Sequence, residues 1–177
     1  MDSSLDSSRV SVSGLQVRDA AHGDAVALAD IYNPYVLETT ITFEEVGASP
    51  ACMAERVAEA AEARLPFLVA ESAGIPVGFA YASRWKGRCA YRFTAETTVY
   101  VDRRQWRRGT GSALYARVLD LLKDAGYHAA IGGIALPNEP SIRLHERLGF
   151  TRVAHFREVG FKFNRWIDVG YWQRLFS

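Results

Sequence analysis

The hydrophobic and polar positions along the chain switch between the period of a strand and the period of a helix. Residues 15–20 follow the strand period, and residues 20–38 follow the helix period. The apolar stripe of that helix comprises Ala25, Leu28, Ile31, Tyr32 and Tyr35. Pro34 is expected to kink the helix or to begin a separate turn. A second helix is predicted where Ser49 supplies an N-cap and Pro50 the first helical position.

The rest of the chain carries more strands than helices. Two β-rich runs around a turn at residues 73–76 predict an antiparallel hairpin, and residues 91–102 predict a long strand. A helix capped by Gly126, a strand, a helix ending at Gly149 and two strands around a loop near Gly160 follow. This order, β-α-α-β-β-β-α-β-α-β-β, predicts an α/β fold. We expect a mixed, mostly antiparallel sheet of about seven strands flanked by about four helices.

Length and composition narrow the class of protein. The 177 residues suit one domain, which we place at residues 15–177 after a flexible N-terminal segment, 1–14. A net charge of +1 argues against a nucleic-acid binder, and no apolar run approaches the ~18 residues of a membrane span. Cys52 and Cys89 have no metal-site spacing, so we expect no metal and a reducing cytoplasmic location.

The sequence RRGTGS joins the long predicted strand to a helix. At a helix start, free backbone N–H groups and the helix dipole favour an anion, and glycines let the backbone approach it closely. The Walker and dinucleotide patterns are both absent. Two interpretations stay open: a loop whose amides hold a pyrophosphate, as in coenzyme A binding, or a helix start with solvated arginines. The residues concerned are Arg107, Arg108, Gly109, Thr110, Gly111 and Ser112.

Several sequence motifs, which occur in a fixed order, make the chain resemble a known family. VYVDRRQWRRGTGSALYARVL, followed by LPNEPSIRLHERLGF, resembles the GNAT acetyltransferases, in which a Q/R-x-x-G-x-G/A loop binds the pyrophosphate of acetyl-CoA. IYNPYV, WKGRCAYRFTAETTVYV and VGFKFNRWIDVGYWQ make it more similar to the phosphinothricin and methionine sulfoximine/sulfone acetyltransferases. The resemblance covers about residues 15–176 and implies the GNAT fold. Trp106 departs from it, because the family usually has Gln or Arg there.

The predicted strand at residues 91–102 carries one carboxylate on its polar face. Glu96 lies there between Thr94 and Thr98, and from the pattern alone it could be a solvated side chain paired with Arg92. The resemblance implies that Glu96 is the general base that deprotonates the acceptor amine. It also implies cofactor contacts from the strand and from the start of the last predicted helix, namely from Val99, Tyr100, Val101 and Asn138. Asn138 alone indicates a plain N-cap.

Substrate contacts are expected chiefly from the segment before this strand. Lys86, Gly87 and Arg88 suit a carboxylate or phosphinate oxygen, or they form a solvated hairpin loop. The Lys-Gly-Arg motif resembles the phosphinothricin branch of the family and favours phosphinothricin as substrate. Arg92, in contrast, resembles the residue found in the branch that acts on methionine derivatives. The remaining candidates are Phe43, Tyr91, Thr97 and Thr98.

Three kinds of function fit these observations. The favoured one is N-acetylation of a small amino-acid analogue by acetyl-CoA, of phosphinothricin or methionine sulfoximine/sulfone type. A protein N-terminal or lysine acetyltransferase and a non-catalytic acetyl-CoA-binding module are the alternatives, and Glu96 argues against the latter. The resemblance also implies a homodimer. His145 shares its helix face with Ile142 and Leu148, which indicates a core histidine rather than a proton donor.

Overall fold

The computed structural model describes residues 10–12 and 14–176. The strands are β1 (Val10–Val12), β2 (Leu15–Asp19), β3 (Phe67–Ser72), β4 (Ile75–Arg84), β5 (Thr94–Val101), β6 (Ala129–Ala135), β7 (Thr151–Lys162) and β8 (Arg165–Leu175). The helices are α1 (Ala25–Glu38), α2 (Pro50–Glu62), α3 (Thr110–Asp124) and α4 (Glu139–Arg147). Within these residues the strands form one eight-stranded sheet in the order β1-β2-β3-β4-β5-β6-β8-β7.

The predicted mixed, mostly antiparallel sheet is confirmed. Strands β5 and β6 pair in parallel, and the other neighbouring pairs are antiparallel. The described part of the chain adds one strand to the predicted order, because Val10–Val12 pairs with β2 at the sheet edge. These residues therefore belong to the sheet rather than to the predicted flexible segment. Residues 1–9 and 13 of that segment lie outside the described residues.

Local sequence signals account for most of the helix boundaries. The Ser49 hydroxyl accepts a hydrogen bond of 3.1 Å from the Cys52 N–H, which confirms the predicted N-cap of α2. Gly126 and Gly149 have φ of 81° and 83° just beyond α3 and α4, as helix-ending glycines do. Helix α1 continues through Pro34, so this residue does not begin a separate turn.

Two predicted boundaries are wrong. The strand expected from residue 91 begins at Thr94, because Cys89–Tyr91 forms a 3-10 turn. The loop expected near Gly160 lies instead at Phe163 and Asn164, which have φ of 50° and 57°. Asn enters this left-handed region more easily than most residues, although it lacks the freedom of glycine. Gly160 is buried inside β7.

The helices cover the two faces of the sheet in pairs. On one face, Tyr32 and Tyr35 of α1 pack against Tyr100 of β5, with ring centroids 4.8 and 5.1 Å apart. On the other face, Leu114 and other buried residues of α3 belong to a cluster with Ala95 of β5. Side chains alternate along a strand, so Glu96 and Thr98 lie on the α1 face.

Strands β5 and β6 separate partway along their length. Their parallel pairing runs from Thr94 opposite Ala129 to Glu96 opposite Ile131 and then stops. Strand β5 continues to Val101 and β6 to Ala135, so a gap opens between them just beyond Glu96. Backbone groups that face this gap have no neighbouring strand to pair with.

Candidate active site

The backbone of β5 directs hydrogen-bonding groups into the gap. The Asp102 N–H donates to the Val77 carbonyl of β4 at 2.9 Å, and alternation then turns the backbone groups of Thr97, Val99 and Val101 away from β4. The Thr97 carbonyl lies 3.3 Å from the Tyr115 hydroxyl oxygen, and the Val101 carbonyl accepts a hydrogen bond from Tyr35. Val99 lies between these occupied positions, so its N–H and carbonyl can serve an extended ligand.

Tyr100 does not fit its predicted cofactor contact. The same alternation directs its backbone towards β4, and its ring is buried among the aromatic side chains on the α1 face. Of the three β5 residues expected at the cofactor, Val99 has free backbone groups in the gap. Val101 has its carbonyl engaged by the protein itself.

The glycine-rich loop leads directly into α3 beside this gap. Gly109 is the N-cap residue of α3 and has φ of 84°, a left-handed conformation that glycine adopts without strain. Thr110 is buried as the first residue of the helix, and Gly111 lies close to Val101, since a Cβ there would be 3.5 Å from Val101 Cγ2. Ser112 follows in the first turn, where backbone N–H groups lack partners within the helix and could donate to an anion. Beside this helix start is a cavity of about 280 Å³ facing Leu15 of β2.

The four arginines before this helix divide into two pairs. Arg103 binds the Glu38 carboxylate and donates to the Pro34 carbonyl at 2.8 Å, and Arg104 binds Asp102 at 2.6 Å. Arg107 and Arg108 are exposed and have no hydrogen-bond or ion-pair partner among the described residues. Of these four arginines, Arg107 and Arg108 are therefore the pair whose positive charge is available to a ligand.

Trp106, the residue that departs from the family pattern, anchors the loop. Its indole N–H lies 3.0 Å from the Tyr35 hydroxyl and 3.3 Å from the Val101 carbonyl. Tyr35 itself donates to the same carbonyl. Trp106 thus links the loop to α1 and to the end of β5, while its ring remains 53% exposed.

Glu96 lies half-buried where the gap begins. A Cβ on Gly133 of β6 would be 3.5 Å from Glu96 Oε1, so the absence of a side chain there makes room for the carboxylate. Burial raises the pKa of Glu96 above its usual range, and the charge of Lys86 opposes that shift. The suggested ion pair with Arg92 is not formed, because Arg92 donates to the Cys89 carbonyl at 3.1 Å instead.

The β4–β5 hairpin holds a lysine near this carboxylate. The Lys86 ammonium lies 4.7 Å from the centroid of the Trp85 ring, and that ring packs edge-on against Tyr171 of β8 at 5.4 Å. Gly87 and Arg88 are exposed in the same hairpin, as the sequence predicted. Neither Trp85 nor Tyr171 was among the predicted site residues, although Trp85 adjoins the Lys-Gly-Arg motif.

Thr97 and His145 lie on the opposite face of the sheet. The Thr97 hydroxyl is 2.6 Å from the Tyr115 hydroxyl, which is 2.8 Å from Nε2 of His145. His145 Nδ1 lies 2.8 Å from the Ser141 carbonyl, which can only accept, so Nδ1 carries the proton and Tyr115 donates to Nε2. His145 is thus a hydrogen-bonded core histidine, as predicted, and burial lowers its pKa. Thr97 can reach a substrate only through its backbone.

Asn138 and Thr98 lie where the sequence places them. The Asn138 side chain accepts a hydrogen bond of 3.2 Å from the Ser141 N–H and thereby caps α4, the plain role expected of it. Thr98 shares the face of Glu96 and interacts with Tyr81 of β4. Tyr91 is exposed in the 3-10 turn rather than in the strand.

Comparison with known proteins identifies the class. A family model described as an acetyltransferase (GNAT) domain matches residues 17–170. The chain therefore belongs to the GNAT acetyltransferase family, as the resemblance implied.

Its relatives narrow that class to the phosphinothricin N-acetyltransferase type. The chain is 41% identical over 163 residues to the phosphinothricin N-acetyltransferase of Streptomyces viridochromogenes, covering 92% of this chain and 88% of that protein. It is 34% identical over 162 residues to the L-methionine sulfoximine/L-methionine sulfone acetyltransferase of Salmonella typhimurium, covering 90% and 93%. The phosphinothricin acetyltransferase of Sinorhizobium meliloti, solved in complex with acetyl-CoA, superposes with a TM-score of 0.89 at 33% identity, covering 93% and 89%.

The described residues offer neither a metal-binding cluster nor a membrane-spanning helix. Among residues 10–12 and 14–176, His, Cys, Asp and Glu side chains form no group of three or more that could hold a metal ion. No helix in that part of the chain is long and apolar enough to cross a membrane.

Proposed function

We propose that this acetyltransferase transfers the acetyl group of acetyl-CoA to the free amine of a small amino-acid analogue, with Glu96 as general base. The observation that carries the proposal is the position of Glu96. It is half-buried at the point where β5 and β6 separate, and the glycine-rich loop lies at the far end of the same gap. One groove thus joins an anion-binding helix start to a carboxylate of raised pKa.

The chemistry assigned to these residues is proton removal and charge stabilisation. An amino acid's amine is mostly an ammonium at neutral pH, so Glu96 must take a proton, directly or through a water, before the nitrogen can attack. Acetyl-CoA supplies the thioester carbonyl carbon that the nitrogen attacks, and its C–S bond breaks. The Val99 N–H faces the gap and can donate to the oxygen on which negative charge develops. The Arg107 and Arg108 side chains and the first amides of α3 hold the pyrophosphate.

Lys86 and Arg88 favour an acceptor that carries an anion. Both cations lie in the hairpin next to Glu96, where they suit a carboxylate and a second anionic or strongly polar oxygen. The relative from Streptomyces viridochromogenes, which has the higher sequence identity of the two, is named as a phosphinothricin N-acetyltransferase. The Lys-Gly-Arg motif agrees with that acceptor. Methionine sulfoximine or sulfone is the alternative acceptor. The same cations would repel a lysine side chain, which disfavours a protein lysine acceptor.

The direct test measures the release of free thiol from acetyl-CoA in the presence of a panel of amines. Mass spectrometry then identifies the acetylated products. The panel contains phosphinothricin, methionine sulfoximine, methionine sulfone, free lysine and a peptide with a free N-terminus. We expect the highest kcat/KM with phosphinothricin and an added acetyl group on its amine. If no amino-acid analogue is acetylated, or if the peptide is preferred, the proposal is wrong.

We also propose that two copies of the chain associate through the β7–β8 hairpin. Large apolar side chains along this hairpin are at least half exposed, and such clusters mark association surfaces. They are Val153, Phe156, Val159, Phe161, Phe163 and Trp166. Light scattering should give a mass twice the 19.7 kDa of one chain, and the monomer mass at micromolar concentration would contradict the dimer.

A further inference from the structure

The connection between α1 and α2, residues 39–49, reaches across the molecule to β7. Its Phe43 ring rests on Gly160: a Cβ on that glycine would lie 2.3 Å from Phe43 Cε2 and Cζ. Real Cβ atoms do not approach other heavy atoms so closely, because packed atoms sit about 3.5–4 Å apart. The absence of a side chain at Gly160 is therefore what admits the ring. Phe43 nevertheless remains 40% exposed, so part of the ring is free to contact another molecule.

Lys162, on the same face of β7, fastens the same connection. Its side chain is 2% exposed, and its ammonium donates to the Val36 carbonyl at 2.6 Å and to the Thr42 carbonyl at 2.8 Å. Val36 lies in the last turn of α1, where carbonyls lack helical partners and a cation is favourable. A buried ammonium is expensive unless it is fully bonded, so Lys162 strongly favours this one position of Thr42 and hence of Phe43.

Thr42 also ties the connection to the face of the sheet that carries Glu96. The Thr42 hydroxyl is 2.8 Å from the Tyr32 hydroxyl, and the Tyr32 ring packs edge-on against Tyr100 of β5. Tyr100 and Glu96 lie on the same face of β5. The connection thus spans the side of the sheet on which the carboxylate lies, from α1 to β7, and carries the exposed part of Phe43 with it.

From this geometry we infer that Gly160 and Lys162 are positioning residues for the acceptor. They fix the Phe43 ring as a wall of the acceptor site, although neither of them touches a reacting atom. This inference rests on the proposed acetylation of an amino-acid amine, for which Phe43 was a predicted substrate contact. It adds two β7 residues that act through Phe43 and set how well the acceptor is held against Glu96.

The first test is Gly160→Ala, which displaces the Phe43 ring. A misplacement of about 1 Å in a positioned group can cost up to ~100-fold in rate, so kcat/KM for phosphinothricin should fall by about 10- to 100-fold. The KM and Kd of acetyl-CoA should stay within about twofold, because the groups assigned to the pyrophosphate, the Arg107 and Arg108 side chains and the first amides of α3, belong to another segment and are unchanged by the substitution. Gly23→Ala is the matched control, since a Cβ there meets nothing within 4 Å. It should leave both constants unchanged.

A double-substitution cycle separates positioning from general destabilisation. Phe43→Leu removes the ring that Gly160 accommodates, so Gly160→Ala should cost much less in the Phe43→Leu background than in the wild type. Losses in acceptor kcat/KM that simply multiply would show that Gly160 does not act through Phe43. A Gly160→Ala variant with wild-type acceptor kinetics would overturn the inference outright.

The second test is Lys162→Met. Its control is Lys123→Met, because Lys123 is an exposed lysine at the end of α3. We expect the acceptor KM to rise while the Kd of acetyl-CoA is kept, and unchanged acceptor kinetics would contradict the role of Lys162. If Lys162→Met does not fold, the Gly160 cycle still decides. A wild-type protein that acetylates no amino acid refutes the proposed function itself, whereas an active wild type with insensitive variants refutes only the positioning role.

Discussion

Glu96 takes its character from neighbours on two other segments of the chain. Gly133 of β6 leaves room for the carboxylate, burial favours its neutral form, and Lys86 of the β4–β5 hairpin favours its charged form. A general base works best when its pKa lies near the working pH, and burial moves Glu96 in that direction. The positions that tune this group are thus separated by tens of residues along the chain.

Replacing Lys86 by Gln should therefore shift the acid limb of the pH–rate profile. In the proposed mechanism Glu96 acts as a carboxylate, so activity should be lost as the pH falls through its pKa. Lys86 lowers that pKa, and without the lysine the limb should move to higher pH. The measurement is kcat against pH at saturating acceptor, with Arg92→Gln as control because Arg92 bonds to the Cys89 carbonyl. A limb that stays in place or moves to lower pH would show that Lys86 does not act on the base.

At the residue scale, the sequence suggested which side chains could carry out chemistry more readily than which residues would be in contact. Glu96, Lys86 and the arginines of the loop became candidates through the family resemblance, because their pattern alone also fits solvated side chains. Gly133 and Gly160 did not become candidates, because glycine carries no chemical signal and its role depends on which ring or carboxylate the fold brings beside it. Strict alternation along the strand places Thr97 on the face opposite Glu96, where the structure has it.

At the scale of elements, the separation of β5 from β6 makes the groove and the start of α3 closes it. Hydrogen bonding of alternate residues leaves Val99 facing the gap, and the left-handed Gly109 turns the chain into the helix beside it. Arg103, Arg104 and Trp106 fasten this loop to the protein, while Arg107 and Arg108 stay available. Neighbouring arginines in one short segment thus differ in role: two bind the protein itself and two remain available to a ligand.

Substituting these arginines one at a time should separate the two tasks. Arg108→Gln should raise the KM of acetyl-CoA by about 5- to 10-fold, the effect of losing one charge-assisted hydrogen bond. The increase should shrink at high salt, because salt also screens the wild-type contact. Arg104→Gln is the matched control, since its guanidinium is already bound to Asp102, and should change the KM little. Equal effects of the two substitutions would indicate a diffuse basic patch rather than a defined site.

The order of elements was predictable from the sequence, but two boundaries were not. Hydrophobic period and capping residues gave the four helices and seven of the described strands, as with Ser49 before α2. The start of β5 was missed because Tyr91 and Phe93 continue the alternation into a segment that is a turn. The β7–β8 turn was missed because it uses Phe163 and Asn164, whereas Gly160 looked like the natural turn residue.

At the scale of the whole molecule, an ion cluster fastens the start of α1 to the sheet. Arg18 of β2 donates to both oxygens of Asp24 at 2.8 Å and also binds Glu71 of β3. Asp24 is buried and accepts a further bond of 2.7 Å from the Ala21 N–H. The Arg18 guanidinium holds the pKa of Asp24 below its usual range, against the opposing effect of burial.

This cluster predicts an acid-sensitive part of the free energy of unfolding. Because the pKa of Asp24 is lower in the folded protein, its contribution is present above its unfolded pKa and is lost as the pH falls through the folded one. Asp24→Asn should lower the free energy of unfolding at pH 7 by about 2 kcal/mol and flatten its decline in acid. Urea unfolding at pH 7 and in acid measures both. Asp19→Asn, an exposed neighbour, is the control, and identical pH dependence of Asp24→Asn and wild type would contradict this role.

The most direct measurement of the central claim is the turnover of Glu96→Gln. Glutamine keeps the size of the side chain and cannot accept the proton, so kcat with the preferred amino-acid analogue should fall by about 100- to 10,000-fold. The Kd of acetyl-CoA, measured by calorimetry on the same sample, should stay at the wild-type value, because the glycine-rich loop and Val99 are untouched. A variant that binds acetyl-CoA normally and acetylates at the wild-type rate across pH would contradict the claim that Glu96 is the base.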